Sequence, residues 1–99
     1  MNMQALMAQA QKMKRDIEKK TSDIEKKEYI GESEWILVKF NGKRELSELK
    51  IKYEGTIESD DKEMLEDMLN IAIREALNKI EKDYNDQLGS YGGSFNGLF

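Results

Sequence analysis

Near the start of the chain the apolar residues Met3, Leu6, Ala10, Met13, Ile17 and Ile24 fall at alternating steps of three and four, with Lys20 in the one missing place. That spacing belongs to a helix laid against another helix, because residues three and four apart share one face. Between Asn2 and Lys27 there is no glycine or proline, and the good helix formers Ala, Gln, Met, Lys and Glu dominate. The segment is therefore expected to form one long helix whose narrow apolar seam needs a partner. Met3, Met7 and Met13 suit adaptable packing better than a ligand site.

After Glu28 the period changes to two. Tyr29 to Glu32 reads as a short strand, Trp35 to Phe40 (WILVKF) as a second, and Glu45 to Tyr53 as a third. Asn41-Gly42 lies between the last two and is the strongest short-range hairpin signal in the chain. Ile36, Val38 and Phe40 share one face, and Leu49, Ile51 and Tyr53 have a parity that pairs onto it. A two-residue loop would also put Lys43, Glu45 and Ser47 there, so a longer, bulged connection stays open, as does the register.

Gly55 ends the strand pattern, and Ser59-Asp60-Asp61-Lys62-Glu63 offers an N-cap, with Asp60 and Glu63 at capping-box spacing. A second long helix is expected from there to about Gln87. Leu65, Leu69, Ala72, Ile73, Ala76, Ile80 and Tyr84 share a broad face, widened by Met64, Met68, Ile71 and Leu77. An apolar arc that wide exceeds one contact surface and points to a second subunit. Residues 1–88 thus form a single domain, and 89–99, with four of the seven glycines and no period, read as a flexible tail. Tyr91, Phe95 and Phe99 are its candidate weak contacts.

With 99 residues, no histidine and no cysteine, the chain has no thiol or imidazole chemistry, no disulfide and no Cys/His zinc site. No apolar run approaches the roughly 18 residues of a membrane span, and the opening MNMQALMAQAQK does not have the pattern of a signal peptide. A cytoplasmic location is expected. The carboxylate pairs Glu32/Glu34 and Asp60/Asp61 are the remaining acid/base candidates, and capping already explains the second. There is no phosphate-binding glycine loop, nucleophile elbow or metal-ligand spacing, so neither catalysis nor a cofactor nor a metal is expected.

Sixteen basic and twenty acidic residues give a net charge of −4, but residues 1–27 hold seven basic and four acidic groups, whereas 60–99 hold four and nine. On the first helix Lys12, Lys19 and Lys26 repeat every seven residues outside the seam, with Arg15 close by and Lys14, Lys20 and Lys27 beside them. At a rise of about 1.5 Å per residue, Lys12 to Lys26 spans roughly 21 Å, enough to meet several phosphates of a duplex. A plainer account pairs Asp16 with Lys12 and Lys20, and Asp23 with Lys19 and Lys27, each four residues apart.

The stretch SDDKEMLEDMLNIAIREALNKIEKD (59–83), the opening MNMQALMAQAQKMK and the block GESEWILVKFNGKREL resemble the YbaB/EbfC family of small bacterial nucleoid-associated DNA-binding proteins. The similarity covers nearly the whole chain. It departs from the family pattern at Glu34-Trp35, at Ile51-Lys52-Tyr53 and in having no proline in the tail. The resemblance implies an α+β subunit, α-β-β-β-α, with a small antiparallel sheet between two long helices. It further implies an intertwined homodimer, with Trp35, Leu37, Met64, Met68 and Ile71 as the interface residues assigned to it. Such a dimer would bind double-stranded DNA with low sequence specificity, alter its conformation, and act in nucleoid organisation and gene expression. Lys12, Lys14, Arg15, Lys19 and Lys20, then Lys26 and Lys27, would be the DNA-facing residues. Lys79 and Lys82 are set aside because Glu81, Asp83 and Asp86 surround them. The competing expectation, favoured by the net charge, is an acidic dimeric adaptor for replication or recombination proteins.

Overall fold

Two long helices flank a three-stranded sheet in a computed structural model of the chain, which describes residues 2–91. The order is α1 (Met3–Lys26), β1 (Glu28–Glu32), β2 (Ile36–Asn41), β3 (Leu46–Ile51), a 3-10 turn (Ser59–Asp61), α2 (Lys62–Leu88) and a final 3-10 turn (Gly89–Tyr91). The sheet is an antiparallel meander, β1-β2-β3, so the chain has the expected α-β-β-β-α, α+β fold. Residues 92–99, including Phe95 and Phe99, lie outside the described residues.

Asn2 starts α1, its side chain accepting the Gln4 amide at 2.9 Å. At α2 the cap lies earlier than the sequence suggests. Glu58 and Asp61 form the reciprocal box, with the Glu58 amide donating to Asp61 Oδ2 at 3.0 Å, and not Asp60 with Glu63. The 3-10 turn uses up Ser59 to Asp61 before the α-helix begins.

The hairpin also differs from a two-residue Asn-Gly turn. Asn41 Oδ1 accepts the amides of Lys43 at 2.9 Å and Glu45 at 3.1 Å, and the Asn41 amide donates to the Glu45 carbonyl at 3.0 Å. The loop is therefore Gly42-Lys43-Arg44, with Arg44 at φ 64° in the left-handed position of a three-residue connection. A bulge between Lys39 and Phe40 absorbs Ser47 and pairs Phe40 with Leu46, Val38 with Leu49 and Ile36 with Ile51. Gly42 is needed for another reason, since a Cβ there would collide with the Ile24 carbonyl at the end of α1.

The core joins Ile24 of α1, Tyr29 of β1, Ile36, Val38 and Phe40 of β2, and Ala72, Ala76, Ile80 and Leu88 of α2. α2 lies over β1 and β2, where small residues let the layers approach. A Cβ on Gly31 would strike the Ala72 carbonyl and lie 2.8 Å from the Ala76 nitrogen. Gly31→Val is therefore expected to cost about 3 kcal/mol through overpacking, lowering Tm by about 15 °C in a circular-dichroism melt. Gly89→Ala, with nothing within 4 Å, is the matched control and should melt like the parent.

α1 joins this body only through its second half. Every residue from Asn2 to Asp16 is exposed, and the molecule extends 69 × 21 × 15 Å. Its radius of gyration, 19.3 Å, is well above the roughly 13 Å of a compact chain of about 100 residues. The first half of α1 is an arm, and its seam (Met3 73% exposed, Met13 45%) has no partner among the described residues.

Candidate nucleic-acid interface

The six cations of α1 and Lys27 at its C-cap do not point in one direction. With about 3.6 residues per turn, Lys12, Arg15, Lys19 and Lys26 fall within an arc of roughly 60° directly opposite the apolar seam. All four are exposed, and among the described residues none has an ion pair or side-chain hydrogen bond. Lys14 stands to one side of them, 4.0 Å from Glu18 in an exposed pair. The neutralising pairs of Asp16 and Asp23 with lysines four residues away do not form among the described residues. Both acids are exposed beside the basic row and leave its ammonium groups free to meet an external anion.

Lys20 and Lys27 lie on the other side of the seam and are occupied. Lys20 Nζ is 3.4 Å from the Gln87 carbonyl, 3.2 Å from the Tyr91 hydroxyl and 5.0 Å from the centre of the Tyr91 ring. That places a cation at the carbonyl end of α2, where the helix dipole is negative. Lys27 Nζ is 3.0 Å from Asp83 Oδ2. Tyr91, in the 3-10 turn that follows α2, is thus held by a residue of α1.

Asp83 also accepts the Tyr29 hydroxyl at 2.5 Å and the Gln87 amide at 3.4 Å. The Tyr29 bond, assisted by Lys27 and Gln87, keeps its carboxyl below the ordinary 3.8 although partial burial opposes this. Burial, followed by Asp83, pushes the Tyr29 hydroxyl well above the ordinary 10.0. These residues are 54 positions apart, so no spacing rule could have brought them together.

The residues assigned to a subunit contact are scattered. Met64 and Ile71 are exposed on α2, whereas Met68 packs against the core. Trp35 stacks on Tyr53, ring centres 4.5 Å apart, and Leu37 lies on the sheet face opposite Ile36 and Val38. A larger apolar row appears on β3: Leu49 and Ile51, which the sequence suggests as core, and Leu46, which the bulge turns to the same face, are each about half exposed. They share the face of Phe40, Val38 and Ile36, but α2 does not reach across to cover them.

Among the described residues no cluster of three acids could hold a metal ion, and no helix is long and apolar enough to cross a membrane. Lys79 is tied to the Ile30 carbonyl at 2.7 Å and to Glu75 at 3.3 Å. Arg74 and Lys82 on α2 are exposed and, among the described residues, have no ion pair, so what sets α1 apart is that four such cations line up along one face.

The chain is 38% identical over 92 residues to a nucleoid-associated protein of Enterococcus faecalis, covering 91% of this chain and 88% of that one. It is 39% identical over 99 residues to a nucleoid-associated protein of Ruminiclostridium cellulolyticum, covering 98% and 85%. A third such protein, from Lactococcus lactis, is 37% identical over 93 residues, covering 92% and 93%. The model of the YbaB/EbfC DNA-binding family matches residues 1–95. The half-exposed helix with its aligned cations, the meander and the long second helix are thus those of a member of the YbaB/EbfC DNA-binding family, to which this chain belongs.

Proposed function

We propose that this chain is a nucleoid-associated protein of the bacterial cytoplasm. As a homodimer it binds double-stranded DNA with low sequence specificity, alters the path of the duplex and so influences nucleoid organisation and gene expression. The observation that carries this reading is the row Lys12, Arg15, Lys19 and Lys26, exposed and without partners among the described residues, on an arm that stands away from an acidic body. Lys14 flanks the seam and is paired with Glu18, so it stands outside this row. Cations spaced along one helix face meet phosphates, and the row has no Asn or Gln set suited to reading base edges, so affinity comes from counterion release. A dimer brings two such arms to one duplex, which raises the effective concentration of the second and bends DNA that does not match their separation.

The test is a fluorescence-anisotropy titration of the purified protein against sequence-unrelated duplexes. If two arms together make about six to eight phosphate contacts, affinity should fall by about three to four orders of magnitude between 50 and 200 mM salt. The fall should be similar for every duplex. No binding at low salt would discard the reading and return the search to protein partners of an acidic adaptor.

A further inference from the structure

The lysines at and near the end of α1 that are paired within the chain are as informative as those that are not. Asp83 Oδ2 receives Lys27, the C-cap of α1, at 3.0 Å and the Tyr29 hydroxyl of β1 at 2.5 Å, so one carboxylate on α2 fastens the end of the arm and the first strand. The Asp83 side chain is 19% exposed and that of Lys27 48%. Two turns further out Lys20 grips the end of α2, and from Asp16 outward every described residue of α1 is exposed.

We propose that Asp83 is a positioning residue for DNA binding: with Lys27 and Tyr29 it fixes the angle at which α1 leaves the body and so where the basic row meets the duplex. The proposal rests on the DNA-binding role inferred above for α1. From Lys27, the fastened end, to Lys12, the outermost cation, the arm is about 22 Å long at about 1.5 Å per residue. A tilt of about 10° at Lys27 then moves Lys12 by about 4 Å, more than the roughly 3 Å reach of an ammonium–phosphate hydrogen bond. Neither Asp83 nor Tyr29 titrates near neutral pH, because one is held below its ordinary range and the other above it. The fastening therefore stays closed there.

The sign of one substitution separates positioning from bulk charge. Asp83→Asn removes a negative charge from an acidic chain, so electrostatics alone would raise DNA affinity. Positioning requires the affinity to fall, by about fivefold. The slope of affinity against salt should be unchanged, since the exposed cations remain. Tyr29→Phe, which keeps the ring and loses the donor, should act in the same direction. Arm geometry is read without DNA from the distance between nitroxides on Gln9→Cys and Asn78→Cys, in a chain with no cysteine of its own. Labelled subunits are diluted with unlabelled protein so that only distances within a chain are seen. Both substitutions should broaden the distance distribution and weaken binding. An unchanged distribution, or Asp83→Asn binding DNA as well as the parent or better, would overturn the proposal. If the parent binds no duplex, the DNA role fails by itself, while the distances still decide whether Asp83 sets the arm.

Discussion

The triple variant Lys12→Glu, Arg15→Glu, Lys19→Glu is expected to lose at least about a thousandfold in duplex affinity at moderate salt while keeping its fold. Each change removes a cation from the solvent face of α1 and puts an anion in its place, so a lost contact is compounded by repulsion. The salt slope should fall by about 0.9 for every phosphate contact removed, and in a dimer each site counts twice. Stability should change little, within about 0.5 kcal/mol per site, because these side chains touch nothing that holds the body together. Lys82→Glu on α2 reverses one charge on the acidic side of the molecule and should leave affinity nearly intact. If the triple variant bound DNA normally and Lys82→Glu did not, the contact would belong to α2 and not to the arm.

What could be foreseen from the residues, and what could not, follows the range of the interactions. Met3 to Ile24 at three-and-four spacing and WILVKF before Asn41-Gly42 are local patterns, and α1 and the β2-β3 hairpin form where those patterns lie. The capping box moved because Asp61 can serve Glu58 as readily as Glu63 can serve Asp60, and only the 3-10 turn decides between them. Gly42 was legible as a turn residue, yet its necessity comes from the approach of Ile24, 18 positions earlier, which no hairpin rule contains. The basic row divides for the same reason. Lys20 and Lys27 have the same sequence character as Lys19 and Lys26, but they stand on the side of the seam that faces α2, where Gln87, Tyr91 and Asp83 receive them. Their counterparts point to water. The exposure of β3 was likewise hidden, because the parity of Leu49 and Ile51 says which face they share and not how far a helix extends over it.

That uncovered face makes the second large prediction. Leu46, Leu49 and Ile51 are 49%, 45% and 47% exposed, although the residues they pair with, Phe40, Val38 and Ile36, are only 8%, 0% and 0% exposed. β3 is also an edge strand, with one side of its backbone unpaired in the sheet. Glu48 and Lys52, on the opposite face, are engaged with Lys39 and Glu32, so no charge guards the apolar side. A second copy meeting this face through a two-fold axis would extend the sheet's apolar layer and satisfy both liabilities at once. Leu49→Lys with Ile51→Lys should therefore shift the protein from twice 11.5 kDa to 11.5 kDa in light scattering, with its secondary structure retained. Because one arm then acts alone, duplex affinity should fall by about a hundredfold or more through lost bivalency. Met64→Lys with Ile71→Lys provides the contrast, since both residues are exposed on α2. If that pair gave the monomer and the β3 pair did not, the subunits would meet through α2. If the parent were already monomeric at micromolar concentration, the two-armed account of DNA bending would fall with the dimer, whereas phosphate binding by a single arm would stand.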